Sequence, residues 1–74
     1  MMIRYKLTKS DKDFPVGTPV FIEIDNDTAY IEYYGDHPVG YTAEYIEYEG
    51  ERHRVIVFPW SFLKVFGYRA EVDE

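Results

Sequence analysis

Tyr30-Ile31-Glu32-Tyr33-Tyr34-Gly35 returns fifteen residues later as Tyr45-Ile46-Glu47-Tyr48-Glu49-Gly50. Both copies alternate bulky β-formers with glutamate and end at a glycine. That is the pattern of a half-buried strand running into a turn. From Asp13 to Glu51, both included, there are ten carboxylates and no lysine or arginine. The middle of the chain therefore reads as a tyrosine-rich, strongly acidic β-structure.

Working outward, residues 2–7 alternate Ile3, Tyr5 and Leu7 with Met2, Arg4 and Lys6, which predicts a first strand. Residues 8–13 are polar and charged and read as a loop. Pro15, Gly17 and Pro19 exclude a helix in the next stretch. A second strand is expected over 20–24, with Val20, Ile22 and Ile24 on one side. Asp25-Asn26-Asp27 is a turn, because short polar side chains bond their own backbone. A third strand follows over 28–34, a glycine-bounded loop over 35–40 and a fourth strand over 41–48. Glu49-Gly50-Glu51-Arg52 is a hairpin connection. A fifth strand over 53–58 ends at Pro59, which cannot donate to a ladder. Residues 59–63 suit a single 3₁₀ turn, 64–68 a last short strand, and 69–74 a frayed acidic tail. No segment holds a helical period over ten residues. The expectation is all-β: one domain over 1–74, built as a small five- to six-stranded antiparallel barrel with a 3₁₀ turn before the last strand.

Composition narrows the rest. The chain has 74 residues and no cysteine, so neither a large core nor disulfides can hold it. Fourteen aromatics, eight of them tyrosine, supply the bulk instead. The longest apolar run, 55–60, is too short to span a bilayer. Nothing resembles a signal peptide. These features predict a cytoplasmic protein that uses no membrane. The net charge of −6 disfavours non-specific binding to nucleic acid, although it also serves solubility alone.

The order of elements resembles the SH3-like small-barrel superfold: an early strand, a long first loop, a three-stranded meander, a 3₁₀ turn and a final strand. Val57-Phe58-Pro59-Trp60-Ser61-Phe62-Leu63 is similar to the stretch by which signalling SH3 domains enter their last strand. The Ala-Leu-Tyr-Asp-Tyr-type opening and the Trp-Trp pair of those domains are missing. The resemblance implies the fold, and it implies that Trp60 is a surface platform for proline-rich peptides. The residues themselves favour Trp60 as a plug for one end of the barrel.

Pairing the third and fourth strands as a hairpin, with Tyr34 opposite Tyr41, and setting Tyr48 opposite His53 on the fifth strand, defines two faces. Ala29, Ile31, Tyr33, Thr42, Ile46, Tyr48, Val55 and Val57, with Glu44 as a misfit, form the expected core face. Tyr30, Glu32, Tyr34, Tyr41, Ala43, Tyr45, Glu47, Arg54, Ile56 and Phe58 form the expected outer face. An exposed cluster of this kind marks a contact surface, and tyrosine suits such surfaces. The expected partner-binding residues are thus Tyr30, Glu32, Tyr34, Tyr41, Tyr45, Glu47 and Trp60.

Catalysis is not expected. His37 and His53 read as solvated turn and strand-end residues, and no hydroxyl sits in a nucleophile pattern. Asp25, Asp27 and Glu32 lack the spacing and glycine of a calcium loop. No metal or cofactor is expected. The function expected is a non-enzymatic protein-binding module with a basic partner, or with a second copy of the chain as a homodimer. The alternative is an acidic mimic of nucleic acid that blocks a DNA- or RNA-binding protein. Direct nucleic-acid binding by tyrosine stacking is disfavoured by the missing positive charge in the middle of the chain.

Overall fold

A computed structural model describes residues 1–9, 14–65 and 67–73. The described chain is all-β, with six strands in one antiparallel sheet: β1 (Met2–Lys9), β2 (Pro19–Glu23), β3 (Thr28–Glu32), β4 (Thr42–Tyr48), β5 (Glu51–Pro59) and β6 (Arg69–Val72). Two 3₁₀ turns, Ile24–Asn26 and Trp60–Phe62, follow β2 and β5. The spatial order is β4-β5-β3-β2-β1-β6, so β4 and β6 are the two edges and the sheet does not close into a barrel.

The ladder fixes which side chains share a face. Val20 lies opposite Ile31, Ile31 opposite Ile56, and Ile56 opposite Ala43. On that side Leu7, Phe14, Val20, Ile22, Ala29, Ile31, Ile56, Phe58, Leu63 and Tyr68 form the core, flanked by Tyr5, Tyr33, Tyr41, Trp60 and Ala70. Burying each of these aliphatic side chains contributes about 1.5–3 kcal/mol. Aromatic edges complete the packing: Phe14 meets Tyr41 and Tyr68 at ring separations of 6.1 and 6.0 Å.

The opposite face is not bare. Phe21 and Val55 are fully buried there, and Glu32 is nearly so. Phe21 is covered by His53 at 4.7 Å, by Tyr48 at 5.0 Å and by the Arg4 guanidinium at 5.7 Å. The central strands are therefore packed on both sides.

Two expectations about pairing are overturned. β3 does not form a hairpin with β4; its neighbours are β2 and β5. β3 and β4 both run antiparallel to β5, so they are parallel to each other, and residues 33–41 carry the chain back along β5. Tyr33 and Tyr41, at the ends of this crossover, both pack against the core. Burial of those rings favours the crossover over a tight hairpin. The β4–β5 hairpin is also two residues out of the expected register: Tyr48 lies opposite Glu51, closed by a two-residue turn with Glu49 at φ 51° and Gly50 at φ 81°. A turn with both residues left-handed matches strand twist, which a longer connection does not need to do.

The C-terminal expectations also shift. Lys64 and Val65 lie in turn structure, and Phe66 lies outside the described residues. The last strand is instead 69–72, expected to be frayed. It pairs with β1, and the Asp73 N–H donates to the Arg4 carbonyl at 3.0 Å. Glu74 lies outside the described residues, as does most of the expected 8–13 loop. Asp27 fastens the second 3₁₀ turn. Its carbonyl accepts the Trp60 N–H at 2.9 Å, and its carboxylate accepts the Ser61 N–H at 2.8 Å and the Ser61 hydroxyl at 2.7 Å.

Candidate functional site

β4 is the longer of the two edge strands and is largely exposed. Thr42, Ala43, Glu44, Tyr45 and Glu47 are exposed, and Ile46 and Tyr48 are half-buried. Among the described residues, β4 is held in the sheet on one side only, by β5. Its side chains alternate: Ala43, Tyr45 and Glu47 project on the core side of the sheet, and Thr42, Glu44, Ile46 and Tyr48 on the other. Glu44 and Glu47 on the strand and Glu49 and Glu51 around the turn are all exposed, which makes this end of the sheet anionic.

Two cations on β5 answer it from the core side. The Arg52 guanidinium lies 4.1 Å from the centre of the Tyr45 ring, and Arg54 lies 4.9 Å from that of Tyr33. Arg52 also stands opposite Glu47 in the ladder. The chain thus uses on itself the pairing of cation, ring and carboxylate that the sequence suggests for a partner.

The other face carries a polar cluster built on Glu32. One carboxylate oxygen meets His53 Nδ1, and the other accepts the Tyr34 hydroxyl. His53 Nε2 lies 3.9 Å from a Glu51 carboxylate oxygen. The bond to Glu32 is the main cause that raises the Tyr34 phenol pKa above its usual range; desolvation and the neighbouring negative charge add to it. His53 is not a solvated strand-end residue. Its side chain is 10% exposed and it covers Phe21. Its placement was not legible because nothing local in Arg52-His53-Arg54 marks the middle residue as inward.

The seven expected binding residues are not gathered on one face. Tyr30, Glu32 and Tyr34 belong to the Phe21 side: Tyr30 is half-buried opposite Phe21, Glu32 is buried, and Tyr34 is exposed. Tyr41, Tyr45 and Glu47 belong to the core side of the β4–β5 hairpin. Tyr41 is half-buried against Phe14 and Phe58, while Tyr45 and Glu47 are open to solvent. The reason is parity. Crossing over β5 puts odd residues of β3 on the side of odd residues of β4, whereas a hairpin closed at Tyr34–Tyr41 would pair odd with even. The β4 and β5 members of the expected core face change sides accordingly, and Ile56 and Phe58 join the core.

Trp60 is half-buried, tilted against Tyr5 at 5.5 Å, and also lines a hollow of about 470 Å³ beneath β6. That hollow is bordered by Lys64, Arg69 and Glu71, charges of both signs. Among the described residues, no three His, Asp or Glu side chains stand close enough to hold a metal ion. No helix among them is long and apolar enough to cross a membrane. No protein-family model, curated protein or solved structure matches the chain.

Proposed function

We propose that this chain is a non-enzymatic protein-binding module and that its partner is basic. The observation that carries this reading is the β4–β5 hairpin, which stands at a sheet edge with Glu44, Glu47, Glu49 and Glu51 exposed along it, Glu47 on the same face as the exposed Tyr45 and its neighbour Arg52. Carboxylates beside an aromatic ring attract lysine or arginine by ion pairing and cation–π contact, and complementary charge speeds encounter. Binding falls to Tyr45 and Glu47, both expected from the sequence, joined by Glu44 and Glu49. We read the fold as a variant of the SH3-like small barrel. The 3₁₀ turn Trp60–Phe62 before the last strand supports that reading, and the placement of β4 outside β5 departs from it.

The test is retention of host proteins on the immobilised chain at low and high salt, beside the triple variant Glu44→Gln, Glu47→Gln, Glu49→Gln. Basic proteins held by the wild type at low salt, released by salt and not held by the variant, are the expected result. Retention indifferent to both salt and charge removal would overturn the reading. A retained protein that loses its own DNA or RNA on binding would move it to nucleic-acid mimicry.

A further inference from the structure

We propose that the free edge of β4 binds a basic peptide as an added strand, next to β4 and antiparallel to it. This rests on the reading of the hairpin as a site for a basic partner and names how that partner is held.

The backbone phase is fixed by one bond. The Arg54 carbonyl accepts the Tyr33 N–H at 3.2 Å, so the Arg54 backbone is turned toward β3. Its partner across β4–β5 is Tyr45, which makes that pair the non-hydrogen-bonded kind. The N–H and C=O groups of Ala43, Tyr45 and Glu47 therefore point away from β5, out of the sheet. The two-residue turn gives the same phase, because Tyr48 and Glu51 flank it as a hydrogen-bonded pair.

Sheet edges are usually blunted by charged side chains, proline, a bulge or short length. Of these β4 has only its two glutamates: it runs seven residues, Thr42–Tyr48, in one unbroken register. The opposite edge, β6, has four residues and a bulge in its pairing with β1. Charge selects the occupant. A second copy paired antiparallel through β4 about Tyr45 would set Glu44 opposite Ile46 and Glu47 opposite Ala43, leaving both glutamates without a cation and bringing the two Glu44 carboxylates diagonally together. A strand with lysine or arginine opposite both glutamates is complementary. Glu44 and Glu47 project on opposite faces, so those cations must be three residues apart. Main-chain bonds then give affinity and the two cations give selection.

The probe is a blocked, fluorescent nine-residue peptide of threonine and valine with two lysines three apart, added to the full chain. Peptide anisotropy reads affinity, and amide hydrogen exchange reads the edge. At saturation the amides of Ala43, Tyr45 and Glu47 are expected to slow, while those of Glu44 and Ile46, already bonded to β5, change little. Ala43→Pro removes one outward donor without touching the β5 ladder and is expected to weaken binding about tenfold. Exchange at those three amides unchanged under saturating peptide, or a folded Ala43→Pro chain that binds as the wild type does, overturns the added strand. So does failure of the peptide to bind at all. If Glu44→Gln and Glu47→Gln weaken binding while the three amides stay unprotected, the basic partner stands and the added strand falls.

Discussion

His53 stands diagonally across the sheet from Glu32, two residues before Glu32's direct partner Val55, and its Nδ1 meets the Glu32 carboxylate. Both side chains are about 10% exposed. A buried carboxylate needs its partners, and a buried imidazole left without one costs about 1–3 kcal/mol. Glu32→Ala and His53→Ala are each expected to destabilise the fold by about 2 kcal/mol in urea unfolding. The double variant should cost less than the two added together, because each single change already breaks the same bond. Strict additivity would show that the pair contributes nothing as a pair.

Phe21 tests whether the sheet really has two packed faces. It is fully buried, yet it lies outside the main core, under His53, Tyr48 and Arg4. Phe21→Ala is expected to cost about 3–5 kcal/mol, the range of a core aromatic. A cost below about 1 kcal/mol, in the range of an open surface position, would mean that this side is solvated.

That second face was partly legible. Val20-Phe21-Ile22 and Val55-Ile56-Val57-Phe58 are continuous apolar runs, and such runs mark strands buried on both sides. Reading β2 as alternating Val20, Ile22 and Ile24 passed over Phe21. Most strand positions followed from local pattern, because β-branched and aromatic residues end at glycine, proline or aspartate throughout. What local pattern could not give was the partner of β3. A glycine-bounded loop such as 35–40 suits a hairpin as well as a crossover. The choice is made by Tyr33 and Tyr41 reaching the core, a contact between residues distant from Phe14 and Phe58 in sequence. One wrong neighbour then reversed the parity of half the expected surface.

Glu49 is an L-residue with φ 51° in a two-residue turn that favours asparagine or glycine. Glu49→Asn keeps the turn geometry with a residue that tolerates the left-handed region. It is expected to raise stability by about 0.5–1 kcal/mol. Thermal or urea unfolding measures it. A stabilised variant that also loses the basic partner would show that the glutamate is kept for its charge at a cost to the fold, whereas no gain in stability would show that the turn bears its glutamate without strain.

Tyr34 gives a pH dependence whose sign is set by its bond to Glu32. Ionising the phenol removes the donor and places two negative charges together, so the folded state holds the proton above the ordinary value. Below the unfolded tyrosine pKa, about 10, both states are protonated and the contribution is complete. Above it the unfolded chain ionises first, and stability falls as pH rises toward the folded value. Tyr34→Phe has no proton to lose and should lack this part of the alkaline slope. Urea midpoints measured from about pH 8 to about pH 11 should therefore fall more steeply for the wild type than for Tyr34→Phe. Parallel curves would mean that the hydroxyl is not held by Glu32. Glu32→Gln supplies the check on cause, since it removes the negative acceptor and should return Tyr34 toward its ordinary titration, followed by NMR of selectively labelled tyrosine.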